Sequence, residues 1–189
     1  MAQEKFLSTT GDYKTLIAYQ KAECVYDVTY HFAHRFLEKS DRTIDQMMQA
    51  ARSGKQNIAE GNAAAATSVE TELKLYNVAR ASLQELLIDY EDFLRVRGLE
   101  QWSVEEERHK KTRQICKEHN DSAFYRSAIE VRSCETIANI AIILIHQTDR
   151  LLRLLFESRK QHFLKNGGVR EQMTRARLAV REGKKLYGG

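Results

Sequence analysis

The sequence predicts an all-α protein: an up-and-down four-helix bundle with an inserted short helix and a C-terminal helical extension. Three observations carry that expectation. None of the 189 residues is proline, although average usage near 5% would supply roughly nine. Proline breaks helices and punctuates turns, so its absence favours long uninterrupted helices. Leu, Ala, Glu, Arg and Lys dominate the composition, and these are helix-forming residues. Apolar residues also recur at three- and four-residue steps, the period of one helix face. The length suits one domain with a proper core.

Taken in order, the first helix is expected from about Tyr13 to Leu37, with Ile17, Cys24, Val28, Phe32 and Phe36 as its apolar stripe and Gly11-Asp12 before it as stop and N-cap. A second begins after Ser40-Asp41 and carries Ile44, Met47, Met48, Ala51, Ile58 and Ala59. Thr67 and Glu70 form a T-x-x-E capping box ahead of the third. Val69, Leu73, Tyr76, Arg80, Leu83, Leu87, Tyr90 and Leu94 give that helix strict four-three spacing, and Gly98 stops it. A charged insertion at about 99–127 holds a short peripheral helix from Ser103 to about His119. The fourth core helix runs from about Ala128 to Lys165, lined by Ile129, Ile137, Ile140, Ala141, Leu144, Thr148, Leu151, Leu155 and Phe163. Asn166-Gly167-Gly168 ends it. Residues 1–166 thus form the bundle, and 167–189 a basic helical extension with Met173, Ala176, Leu178 and Val180 on its apolar side.

Charge is segregated along the chain. The net charge is +4, but Arg150 to Gly189 holds eleven Lys/Arg against three Asp/Glu, a balance of +8. That asymmetry suggests an acidic partner for the C-terminal part. Cys24, Cys116 and Cys134 lie far apart, with no CxxC and no zinc-finger spacing, and read as reduced thiols of a cytoplasmic protein. The N-terminus lacks a signal-peptide apolar run. The most apolar stretch, around 137–156, is interrupted by Asn139, His146, Gln147, Asp149 and Arg150, so it reads as a buried helix rather than a membrane span.

One stretch of the second helix is unusual. In "QNIAEGNAAA", residues 56–65, Asn57 and Gly61 are poor helix-interior residues. "SGKQNIAEG", followed by "ETELKLYNVARASLQEL", resembles the four-helix-bundle proteins encoded in intervening sequences of bacterial large-subunit ribosomal RNA. Asn57, Ile58, Ala59, Glu60, Gly61, Glu72, Ala79, Ser82, Leu83, Glu85 and Leu86 match that family's pattern, as do Tyr13, Leu16 and Gln20-Lys21-Ala22 in the first helix. The likeness covers roughly residues 12–97, and 130–160 only by helical pattern. The family usually carries a proline shortly before N-I-A-E-G, where this chain has Gly54-Lys55. The insertion and the tail look like those of a longer subgroup. The resemblance implies a homopentamer without catalysis, cofactor or metal. Its relative, the accessory protein of diversity-generating retroelements, is a basic pentameric barrel that associates with a reverse transcriptase and nucleic acid.

Physical reading of the motif puts Asn57 and Glu60 on neighbouring positions of one face. A buried glutamate must be paired or protonated, and Arg80 occupies an apolar heptad position. Glu60 is therefore expected to be buried and bonded to Arg80 or Tyr76.

Other chemistry is thinner. Asp27, His31 and His34 share one helix side, but two histidines near a helix end are more often surface residues than metal ligands. Glu85, Asp89 and Asp92 are spaced like a solvated acidic face. Cys116 precedes His119 by three, with nothing beyond nearby lysines to lower its thiol pKa. No phosphate loop, G-x-S-x-G or H-E-x-x-H occurs, so an enzyme is not expected. The basic residues Arg150, Arg153, Arg159, Lys160, Arg170, Arg175, Arg177, Arg181, Lys184 and Lys185 could track a phosphate backbone. Their aromatic neighbours Phe156, Phe163 and Tyr187 form no recognisable stacking module. These residues point to a self-associating binding or scaffold protein, with RNA, DNA or a reverse-transcriptase-like protein as partner and no membrane. The rival readings are a purely structural oligomer and a small-molecule or metal-binding bundle enzyme.

Overall fold

In the computed structural model, which describes residues 11–181, the chain is helical throughout, with no strand among the described residues. A 3-10 turn at Tyr13–Thr15 precedes α1 (Ile17–Phe36), α2 (Thr43–Ala64), α3 (Val69–Val96), α4 (Glu107–Glu118), α5 (Ser122–Ile129), α6 (Cys134–Asn166) and α7 (Val169–Arg181). Asp12 caps the opening turn, accepting from Lys14 N, and Leu16 is extended (φ −72°, ψ 120°). The single helix expected from Tyr13 is therefore broken at Leu16. That break turns Ile17 outward, and it is 50% exposed.

The four long helices α1, α2, α3 and α6 pack in cyclic order, each against two of the others. Their apolar stripes meet in one core containing Val28, Phe32, Met47, Ile58, Leu83, Leu86, Tyr90 and Leu144. Phe32 packs against Tyr90 and Phe93 with ring centroids 4.9 and 4.7 Å apart. The buried hydroxyls of Thr29 and Tyr90 are satisfied within this core. Thr29 Oγ1 donates to Val25 O at 2.8 Å and accepts from Tyr90 OH at 3.0 Å.

α2 and α3 run antiparallel and make the most extensive helix–helix contact. Two glycines seven residues apart make it close. A Cβ at Gly54 would stand 2.9 Å from Leu83 Cδ2, and one at Gly61 2.7 Å from Tyr76 Cε1. The glycine cost in helix propensity, about 1 kcal/mol each, is offset by side chains seated directly on the α2 backbone. Ser53 and Ser82 hydroxyls share a hydrogen bond of 2.8 Å across the same seam, and Asn57 Nδ2 donates to Ser53 O at 2.9 Å. The N-I-A-E-G stretch does not break the helix.

Several boundaries differ from those expected. The N-cap of α3 is Ser68, whose hydroxyl accepts from Thr71 N at 3.2 Å; Thr67 instead donates to Ala64 O. Gly98, at φ 62°, follows the end of α3, and Gly167, at φ 73°, caps α6. Both take a left-handed backbone that favours glycine. The insertion holds two helices, α4 and α5, and α6 starts at Cys134 rather than near Ala128. Ser133 caps that start, accepting from Thr136 N at 3.3 Å.

The insertion is tied down at both ends. α4 packs on α6 and α5 on α1. Asn139, a polar interruption in the apolar stretch, is buried and donates to Glu100 O and Glu135 O at 2.9 Å while accepting from Trp102 N at 2.8 Å. At the far end Lys21 on α1, 2% exposed, donates to His119 O at 2.8 Å, and Tyr125 OH donates to the same carbonyl at 3.0 Å. An ammonium at the last carbonyls of α4 meets the negative end of that helix.

Candidate functional site on the C-terminal arm

The last turns of α6 pass the start of α3, and there a buried charge is held. Glu72, in the first turn of α3, is 1% exposed. Its carboxylate accepts from Arg159 Nε at 2.8 Å (Oε1) and 3.0 Å (Oε2), and from Tyr76 OH at 3.1 Å. Burial and then the adjacent Glu72 carboxylate push the Tyr76 phenol pKa up, so this hydroxyl remains a donor. Tyr76 is the same ring that rests on Gly61. The motif glycine, the tyrosine, the glutamate and the arginine thus form one continuous contact from α2 through α3 to α6.

This arrangement corrects the expectation for Glu60, which is exposed and bonds neither Tyr76 nor Arg80. The buried stripe of α2 passes through Met47, Ala51, Gly54, Ile58 and Gly61, and Glu60 lies a 100° step to one side of it. Arg80 instead turns to α6, with Nε 2.7 Å from Asp149 Oδ1. Of the other motif residues, Asn57 is half-buried and Glu85 is exposed.

Basic residues of the tail fall into distinct environments. Arg159 is committed inward to Glu72. Arg153 Nε lies 3.1 Å from Asp149 Oδ2, beside the Arg80 contact. Arg175 donates to Asn166 O at 2.7 Å, tying α7 back to the end of α6. Arg150 and Lys160 are exposed on α6, and Arg170, Arg177 and Arg181 are exposed on α7. The 7- and 4-residue steps place those three α7 arginines on one face, bordering a stripe of Val169, Met173, Ala176 and Val180. Met173 is 53% and Val180 55% exposed, and no residue of α7 is buried. Lys184 and Lys185 lie outside the described residues.

The remaining candidates resolve into structural contacts. Asp27 is occupied by Arg126 Nη1 at 2.8 Å and by the Ser122 hydroxyl. His34 Nδ1 lies 2.8 Å from Tyr30 O. No group of three His, Cys, Asp or Glu among the described residues is placed to hold a metal. Cys24 and Cys116 are buried free thiols; burial pushes Cys24 up to about 12 and raises Cys116, so neither is poised as a thiolate. The His119 ring stacks on Phe124 at 3.7 Å. No helix among the described residues is long and apolar enough to cross a membrane. Sequence reasoning missed Lys21 and the Glu72–Arg159 pair. Lys21 was named only as a match to the family pattern, and its place one turn before Cys24, on the buried side of α1, was the signal for its burial. No family of known proteins, no curated protein and no solved structure matches the chain.

Proposed function

We propose that the chain is a non-enzymatic, self-associating scaffold of the cytoplasm, an up-and-down four-helix bundle with a helical extension, that engages a polyanion through its C-terminal arm. The sequence resemblance to the intervening-sequence proteins supports the bundle and a homo-oligomer, a pentamer in that family. Nucleic acid is the polyanion favoured, alone or with a protein that handles it, such as a reverse transcriptase. One observation carries the reading. Arg170, Arg177 and Arg181 stand in solvent on one face of α7, and Arg150 and Lys160 are likewise exposed on α6. Backbone contacts of this kind position a nucleic acid without reading its sequence.

Fluorescence anisotropy with labelled single- and double-stranded RNA and DNA tests it. Affinity should fall steeply between low and physiological salt, because phosphate contacts release counterions. Changing Arg170, Arg177 and Arg181 together to Gln should weaken binding to every sequence alike and leave the circular dichroism unchanged. Equal binding by the wild type and this variant removes α7 from the interface. Absence of binding at low salt leaves a protein scaffold as the function.

A further inference from the structure

We propose that the outer seam of α3 is the docking surface for α7 of a second copy of this chain. The inference rests on the self-association in the reading above and names the two surfaces that carry it. On the side of α3 away from the core, Val78, Ala81, Glu85, Ile88 and Asp92 succeed one another at three- and four-residue steps, and all are exposed; Ile88 is 49% exposed. Aliphatic and carboxylate groups are interspersed along this seam. Asp92 pairs with Arg95, but Glu85 and Asp89 have no ion pair among the described residues. Burial, then the neighbouring Asp92 and Glu85 carboxylates, raise the Asp89 carboxyl pKa.

α7 offers the complement. Its apolar stripe of Met173, Ala176 and Val180 has no cover, and Arg177 and Arg181 border it without an ion pair among the described residues. Those arginines are four residues apart, as are Glu85 and Asp89. On either helix that spacing is about 6 Å, so one register forms both pairs while the aliphatic stripes meet; Arg170, Arg150 and Lys160 stay outside those pairs and remain for the polyanion.

The chain's own α7 falls short of the acidic part of this seam. Arg159 is level with Glu72, so the end of α6 at Asn166 lies roughly 10 Å farther along, about 6 Å beyond the start of α3. A 13-residue helix spans about 20 Å and, folded straight back, would end near Val78, about 16 Å short of Asp89. A second copy has no such constraint. The contact is head-to-tail, because donor and acceptor surfaces differ, and so it repeats from copy to copy into a ring or filament.

Charge exchange on the full chain tests the docking, with mass read by light scattering and sedimentation across a concentration series. Glu85→Lys with Asp89→Lys, and separately Arg177→Glu with Arg181→Glu, should each weaken self-association at least about tenfold, since like charges then face each other. All four changes in one chain should restore it to within roughly threefold of wild type. Circular dichroism establishes that each variant folds. Unchanged association in both two-site variants, or no recovery in the four-site variant, overturns this seam while self-association through another surface stands. A wild type that stays at monomer mass throughout overturns the seam and the self-association together. A change in hydrodynamic radius at constant monomer mass assigns α7 to its own chain and overturns the second copy as occupant.

Discussion

The α2–α3 contact and the α6–α7 arm are built from the same materials, amphipathic helices of mixed charge, and end in opposite states. In the first, Gly54 and Gly61 let Leu83 and Tyr76 sit against a helix backbone, and the apolar groups facing α2 and the core are covered, while Val78 and Ile88 on the outer side of α3 are not. In the second, Met173, Leu178 and Val180 remain about half exposed. The difference does not come from the strength of the apolar pattern, since α7 alternates as clearly as α2. It comes from the presence of a partner with complementary relief. Amphipathicity creates a demand for burial, and only a neighbouring surface satisfies it.

The Glu72–Arg159 pair joins the two regions, and breaking it should have the largest effect. Arg159→Ala leaves a carboxylate in a dry site with only Tyr76 to serve it, and should cost about 3 kcal/mol in urea unfolding. Glu72→Gln should cost less, because Arg159 is partly exposed and can turn to water. If Arg159→Ala moved stability by less than about 0.5 kcal/mol, the pair would behave as an ordinary surface bridge.

A smaller effect is expected within the α2–α3 contact. Gly61→Ala gains helix propensity of about 1 kcal/mol but drives a methyl into the Tyr76 ring. Overpacking of about 1–3 kcal/mol should leave the variant destabilised by up to about 2 kcal/mol. Stabilisation instead would show that the ring yields without loss and that the close approach is not specific.

The smallest effect belongs to the arm. At concentrations low enough for the chain to be monomeric, Met173→Glu or Val180→Glu should change the unfolding free energy by no more than about 0.5 kcal/mol, as for other exposed positions. A loss of several times that figure would mean that α7 is covered in the folded monomer, and the contrast between the two regions would disappear.

Much of the fold was legible because helix formation and its period are local. The stripe on α3 was read almost residue by residue, and Tyr76, Leu83, Leu87, Tyr90 and Leu94 are buried as expected. Glycine stops at Gly98 and Gly167 were equally plain, since a left-handed residue ends a helix whatever surrounds it. The candidate site was much less legible. The motif holds both Glu60 and Glu72, and burial was expected of Glu60, while the buried carboxylate is Glu72, eight residues beyond the end of α2. Both are glutamates near an apolar stripe, and the stripe does not say which one faces a distant cation.

By itself the sequence determined that the chain is helical, where its long helices lie, which sides of them are apolar, and that positive charge gathers at one end. Each of these follows from neighbours within one or two turns. The tertiary structure alone decided that Arg80 takes Asp149, that Arg159 is drawn inward from the basic tail, that Lys21 anchors the insertion, and that α7 is left without cover. Those outcomes join residues 69, 87 and 98 positions apart, or turn on the lack of a partner. No local period encodes either, because the energy of a charge or an apolar face is set by what the rest of the chain brings against it.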